Sequence, residues 1–130
     1  MILAKPEPRR REKAREDRVE AALVKSVRAQ CVVRDDYCRF GGGAMPEAVY
    51  RLIGSCDGES EWAHLEGHRR FETVGRPPEE RHATAWTVMM CRRHHAAYDA
   101  HKFSLEPLTS LGADEALRLT AGADSYEEKR

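Results

Sequence analysis

Cys91-Arg92-Arg93-His94-His95-Ala96-Ala97-Tyr98-Asp99 decides how this chain is read, because it gathers a thiol, two imidazoles and a carboxylate at the start of one helix. Cys91 and His94 form a Cys-x-x-His pair, the spacing that lets a thiolate and an imidazole grip one Zn²⁺ from a tight turn. His95 and Asp99 share a helix face at i,i+4 and can hold a second metal. Adjacent helical residues point about 100° apart, so His94 and His95 serve different sites. One short segment is thus read as carrying both a structural ion and a catalytic one.

Working outward, the residues from Arg92 to about Ala100 form the helix, and Thr84 to Met90 is an apolar strand candidate that runs straight into Cys91. Glu59 to Leu65 alternates, with Trp62 and His64 on one side and Glu61 and Ala63 on the other, which predicts a second strand. Between them, Gly67 to Arg81 is charged and carries Gly75 and Pro77-Pro78, the composition of a long exposed loop. The order strand, loop, strand, helix is a ββα unit. All six histidines (His64, His68, His82, His94, His95, His101) fall in this unit or at its edge. Such confinement favours a metal-binding or catalytic use over scattered surface positions. His82 and His101 receive no role beyond the surface.

Upstream, residues 1–8 are polar and proline-punctuated and are read as disordered. Nothing breaks a helix across residues 9–33, where Val19, Leu23, Val27 and Cys31 recur on one face. Arg34 to Gly43 reads as a turn or knuckle, and Pro46 to Ile53 as a loop or short strand. Phe103 to Leu108 and Leu117 to Thr120 are two further short strands, and residues 122–130 a frayed tail. The fold class expected is α+β: an N-terminal amphipathic helix (9–33) leading into a small zinc-stabilised domain (34–121).

With 130 residues the chain suits one domain. An apolar fraction of 41% against 34% charged residues implies a modest core that a metal can reinforce. The 22 basic and 22 acidic side chains cancel, so bulk charge gives no argument for nucleic acid. The distribution is less even: Arg9, Arg10, Arg11, Lys13 and Arg15 make a basic arm suited to phosphates. Glu12, Glu16, Asp17 and Glu20 interleave with it at i,i+4 spacing, so the same run also reads as a solvated helix surface. No stretch approaches the ~20 apolar residues of a membrane span, and Met1 to Arg10 lacks the apolar centre of a signal peptide. The expected compartment is the cytoplasm, where Cys31, Cys38, Cys56 and Cys91 stay reduced.

A tetrahedral site begun by Cys91 and His94 needs two more soft ligands. Cys38 and Cys56 lie in turn-rich segments, near Gly41-Gly42-Gly43 and Asp57-Gly58, whereas Cys31 falls on the apolar helix face and reads as a small core residue. The usual Cys-x-x-Cys knuckle is missing, since Gly41 stands where its second Cys would be. The structural zinc set is therefore read as Cys38, Cys56, Cys91 and His94.

The chain resembles the HNH endonuclease family, phage and prophage members in particular. The resemblance rests on Arg34-Asp35-Asp36-Tyr37-Cys38, Ser60-Glu61-Trp62-Ala63-His64-Leu65, the apolar approach Val88-Met89-Met90, and Cys91 through Asp99, and it covers roughly residues 31 to 103. It implies an HNH-type ββα-metal domain with His64 as general base. His95 and Asp99 would be ligands of a catalytic divalent metal such as Mg²⁺ or Mn²⁺. A neutral imidazole suits proton abstraction near physiological pH.

The pattern departs from the family at two places. Ala63 stands where many members carry a metal-binding His or Asp, and no Asn occurs near Trp86, where Thr84 and Thr87 are the nearest polar residues. Glu61, on the same strand face as Ala63, is a candidate substitute ligand. The implied activity is metal-dependent DNA phosphodiester hydrolysis, with phage packaging or recombination proteins as possible partners. The alternative is a catalytically inactive zinc-stabilised module that binds nucleic acid or protein. Arg69, Arg70, Arg92 and Arg93 are the candidate DNA-backbone contacts; His68, beside Arg69, is read either as a phosphate contact or as solvated loop. Trp62 and Trp86 are read as packing aromatics.

Overall fold

The computed structural model describes residues 8–41 and 45–129; the expectation for residues 1–7 and the centre of the glycine run lie outside the described residues. Helix α1 (Pro8–Asp35) is followed by α2 (Glu47–Ile53), β1 (Ser60–His64), a short α3 (Pro78–Arg81), β2 (Thr87–Cys91) and α4 (Arg92–Asp99). Strands β3 (Ser104–Pro107), β4 (Ala116–Ala121) and β5 (Asp124–Lys129) complete a mixed α+β architecture. Among the described residues no helix is long and apolar enough to cross a membrane.

The antiparallel ribbon β1–β2 is the organising element, with Trp62 opposite Met89, Ala63 opposite Val88 and His64 opposite Thr87. A two-stranded ribbon is marginal alone and must be covered. Here both faces are covered. Ala63, Val88 and Met90 enter the main core with Ala97 and Tyr98 of α4, while Trp62 and Met89 pack on Leu23, Val27 and Cys31 of α1. That double cover explains why every residue of β2 is buried and why its sequence is a continuous apolar run instead of an alternating one.

The apolar face of α1 holds at Leu23, Val27 and Cys31 but not at Val19, which is 62% exposed. Beyond Leu23 the helix outruns the ribbon, and its contacts there turn polar. At its other end, Asp36 takes a left-handed conformation (φ 60) as the helix stops. Asp35, fully buried, accepts from Arg34 (2.7 Å), Arg39 (2.8 Å) and the backbone N–H of Met89 (3.0 Å). This node fastens α1 to β2 and fixes the start of the Cys38 turn.

Two expectations are corrected. Pro46 to Ile53 contributes a helix, α2, rather than a loop or strand; Val49 and Ile53, one turn apart, are buried, and Gly54 (φ 78) closes it. A proline just before the helix and a glycine just after it are the local signature. Within the segment 122–130, read as a frayed tail, residues 124–129 instead pair with β4 along its whole length. Its charged sequence hides an edge strand whose half-buried positions are Tyr126 and Glu128, the latter set 3.7 Å from buried Arg39. The loop 67–81 also contains α3 and a 3₁₀ turn at Arg70–Glu72.

Candidate metal centre and histidine sites

Four segments converge on one point. Cys38 follows the end of α1, Cys56 follows α2, Cys91 ends β2, and His94 lies in the first turn of α4; their ligand atoms all fall within 4.8 Å of one another. Cys91 is also the helix cap, its sulfur accepting from the His94 backbone N–H at 3.4 Å. The strand-to-helix junction therefore places both ligands of the Cys-x-x-His pair at once.

His94 Nδ1 lies 3.3 Å from Cys38 Sγ and 3.9 Å from Cys56 Sγ. A tetrahedral zinc with ordinary bond lengths separates its ligands by about 3.5–3.8 Å, so these spacings fit. His94 Nε2 donates to the Gly54 carbonyl at 2.8 Å, which leaves the Nδ1 lone pair aimed into the cluster. Burial and the neighbouring sulfurs of Cys91 and Cys56 push the Cys38 thiol up to about 12. A coordinated cation inverts that preference, because a ligating thiol ionises. A Cβ added at Gly41 would stand 3.0 Å from Cys56 Sγ, so Cys56 reaches from α2 to the place that the missing knuckle cysteine would serve. These four residues form a group that can hold one metal ion, with a donor set consistent with structural zinc.

Beside it, on the α4 side of the ribbon, His95 Nδ1 is 3.0 Å from Glu61 Oε1 and His95 Nε2 is 3.4 Å from Asp99 Oδ2. Contacts from His95 and Arg92 hold the Glu61 carboxyl below its usual range. Both nitrogens of His95 face carboxylate oxygens, whereas a neutral imidazole carries one N–H. The pair His95 and Asp99 is thus brought together, with Glu61 as third member. Ala63, on the same strand face as Glu61, is only 1% exposed and belongs to the core.

His64 is held elsewhere. Strand alternation turns it with Trp62 toward α1, where His64 Nε2 meets His82 Nδ1 at 2.9 Å and His82 Nε2 meets Glu20 Oε1 at 2.8 Å. Arg81 also binds Glu20, at 3.0 Å. Burial chiefly, and the neighbouring His82 next, lower the His64 pKa to about 4; His95 and His68 are near enough to add to it. These residues line a cavity of about 580 Å³ with Lys13, Asp17 and Thr73.

Among the described residues, Cys38, Cys56, Cys91 and His94 are the one set of three or more potential ligands gathered this closely; His64 does not join His95 and Asp99 in such a set. His82, read as a surface residue, is instead a half-buried partner of His64, and Glu20 was part of a charged helix surface. No fixed spacing links these two to His64; the crowding of histidines was the only signal. Thr84 and Thr87 are engaged by Asp114 and by Ala83 and Cys31, respectively.

Of the basic residues, Arg92 and Arg93 are exposed but paired with Glu59, Glu61 and Asp57. Arg69 lies over the Tyr98 ring at 4.8 Å and 3.7 Å from Asp99, and the Arg70 side chain is outside the described residues. His68 stacks on Trp86 at 4.5 Å instead of lying in solvated loop. Comparison with protein-family models, curated proteins and solved structures gives no match.

Proposed function

We propose that this chain is a metal-dependent DNA endonuclease of the HNH type, phage-derived, with a zinc ion held by Cys38, Cys56, Cys91 and His94 as its structural anchor. The observation that carries the reading is the antiparallel β1–β2 ribbon leading directly into α4, with a Cys₃His cluster at the junction and Glu61, His95 and Asp99 grouped beside it. Glu61 and Asp99 face opposite nitrogens of His95, so a divalent cation such as Mg²⁺ or Mn²⁺ would be shared by His95 Nε2 and Asp99, with Glu61 on Nδ1 fixing the ring. Such an ion would stabilise charge on a scissile phosphate and its leaving oxygen. His64, neutral at physiological pH because its pKa is lowered, has a lone pair available to accept a proton from water. Arg92 and Arg93, exposed on α4, supply charge for the DNA backbone.

One observation favours a second reading, a zinc-stabilised module that binds nucleic acid or a protein without cutting. His64 faces α1 and is bonded to His82, not to the Glu61–His95–Asp99 group. Nicking of supercoiled plasmid by the wild type and His64→Ala, with Mg²⁺, Mn²⁺, Ni²⁺ or EDTA, separates the two. The nuclease reading expects metal-dependent nicking that the substitution reduces on the order of 100-fold or more while zinc content is unchanged. Folded, zinc-loaded wild type that fails to nick with any of these metals, yet retards the plasmid in a gel at low salt, would favour the binding module instead.

A further inference from the structure

We infer that Glu20 of α1 and His82 act as positioning residues that fix the tautomer of His64, making its Nδ1 the proton-accepting atom. The base role assigned to that atom rests on the nuclease reading; the tautomer does not.

The argument is one of donors and acceptors. The Glu20 carboxylate, bound also by Arg81 at 3.0 Å, can only accept, so His82 Nε2 carries the hydrogen of the 2.8 Å bond between them. A neutral imidazole has one N–H, so His82 Nδ1 is a lone pair. The 2.9 Å contact to His64 then requires that His64 Nε2 donate. What remains on His64 is a lone pair at Nδ1. β1 sets the ring's position, and the Trp62 ring packs against it at 4.6 Å.

The direction of the chain has a chemical use. When His64 Nδ1 takes a proton, an O–H bond of water breaks and the new hydroxide attacks phosphorus. The P–O bond to the leaving oxygen then breaks, and solvent protonates that oxygen. The imidazolium left behind donates through Nε2 to His82, whose own N–H points at the Glu20 carboxylate. The positive charge is thereby stabilised through two hydrogen bonds. The other charged or titratable groups around His64 are Lys13 and Asp17 of α1, Arg81 of α3, His68 and His95. If His82 gains a second proton, it must donate from Nδ1 and the chain reverses, so His64 Nδ1 would carry hydrogen and lose its use as a base.

The test is long-range ¹H–¹⁵N correlation NMR of the zinc-loaded full chain labelled in histidine, at pH 7.5, for the wild type, Glu20→Gln and His82→Phe. The expected wild-type pattern is an unprotonated Nδ1 and a protonated Nε2 on His64, shifting toward a tautomer mixture in both variants. A protonated Nδ1 in the wild type, or an unchanged His64 pattern in both variants at unaltered melting temperature, would overturn the inference. Plasmid nicking measured on the same samples should fall on the order of tenfold in kcat with little change in KM. Wild type that shows the tautomer but never nicks would remove the nuclease reading and the base role, leaving the positioning chain itself established.

Discussion

The two faces of the β1–β2 ribbon are secured by different chemistry. On the α4 face, soft ligands from four segments meet at one buried point, and a single metal ion can tie them together. On the α1 face no such cluster exists among the described residues; the helix is held by Leu23, Val27 and Cys31 packing on Met89 and Trp62, by the buried Arg34–Asp35–Arg39 network, and by Glu20 bonded to His82. The first arrangement is concentrated, since all four side chains would act through the same ion. The second is distributed, so it weakens in steps. In a small chain with a modest core, a metal ion held at the first would add stability that the distributed contacts of the second do not supply.

The largest test of that contrast is Cys91→Ala. Structural zinc contributes on the order of 10 kcal/mol of apparent binding free energy, which in such sites is folding free energy. The variant should purify without zinc and lose cooperative thermal unfolding. Retention of both zinc and melting temperature would show that the cluster does not close the fold. Next in size is Asp35→Ala on the other face. It removes the carboxylate nearest to Arg39, which keeps Glu128 at 3.7 Å, and leaves the Met89 N–H without its acceptor, which should cost about 3 kcal/mol. Zinc stoichiometry should stay at one, read by metal analysis beside urea denaturation. Loss of zinc together with stability would mean that the two faces are not independent.

This difference also explains what the sequence could reveal. Cys91, His94, Cys38 and Cys56 were legible because metal ligation demands particular residue types, and the Cys91–His94 pair lies within one turn. The ββα order was legible from alternation in β1 and the apolar run of β2. The α1-side partners were not, because Glu20 and His82 meet His64 only through tertiary packing, and either could be an ordinary surface residue. The pairing of Asp35 with Arg39 and with the Met89 N–H was not read from the sequence, because it too depends on tertiary packing. β5 escaped because backbone pairing with β4 forms it, while its one inward charge, Glu128, answers Arg39 and breaks the apolar alternation.

A smaller effect separates the faces by pH. The folded-state pKa of His64 lies at about 4, below the ordinary 6.5 of an unfolded chain. Between those values the unfolded state binds more protons, so stability is full above about 6.5 and declines as pH falls toward 4. His64→Gln removes this contribution, and its melting temperature should therefore fall less than that of the wild type between pH 7 and pH 5. Parallel curves for the two proteins would mean that His64 is not held neutral on the α1 face.

The finest test is at Gly41. A methyl group there would come within 3.0 Å of Cys56 Sγ, closer than comfortable packing, and the sulfur must retreat by a few tenths of an ångström. Because the backbone at Gly41 is not left-handed, Gly41→Ala adds no conformational strain of its own, and the whole effect is read at the sulfur. If Cys56 is a ligand, that retreat distorts one corner of the tetrahedron and should weaken zinc binding on the order of tenfold, measured by competition with a chromophoric chelator. The fold at saturating zinc should remain intact, because the other ligands and the Gly54 bond to His94 are untouched. Unchanged affinity would place Cys56 outside the coordination sphere, leaving three protein ligands and a coordination position open to water or substrate.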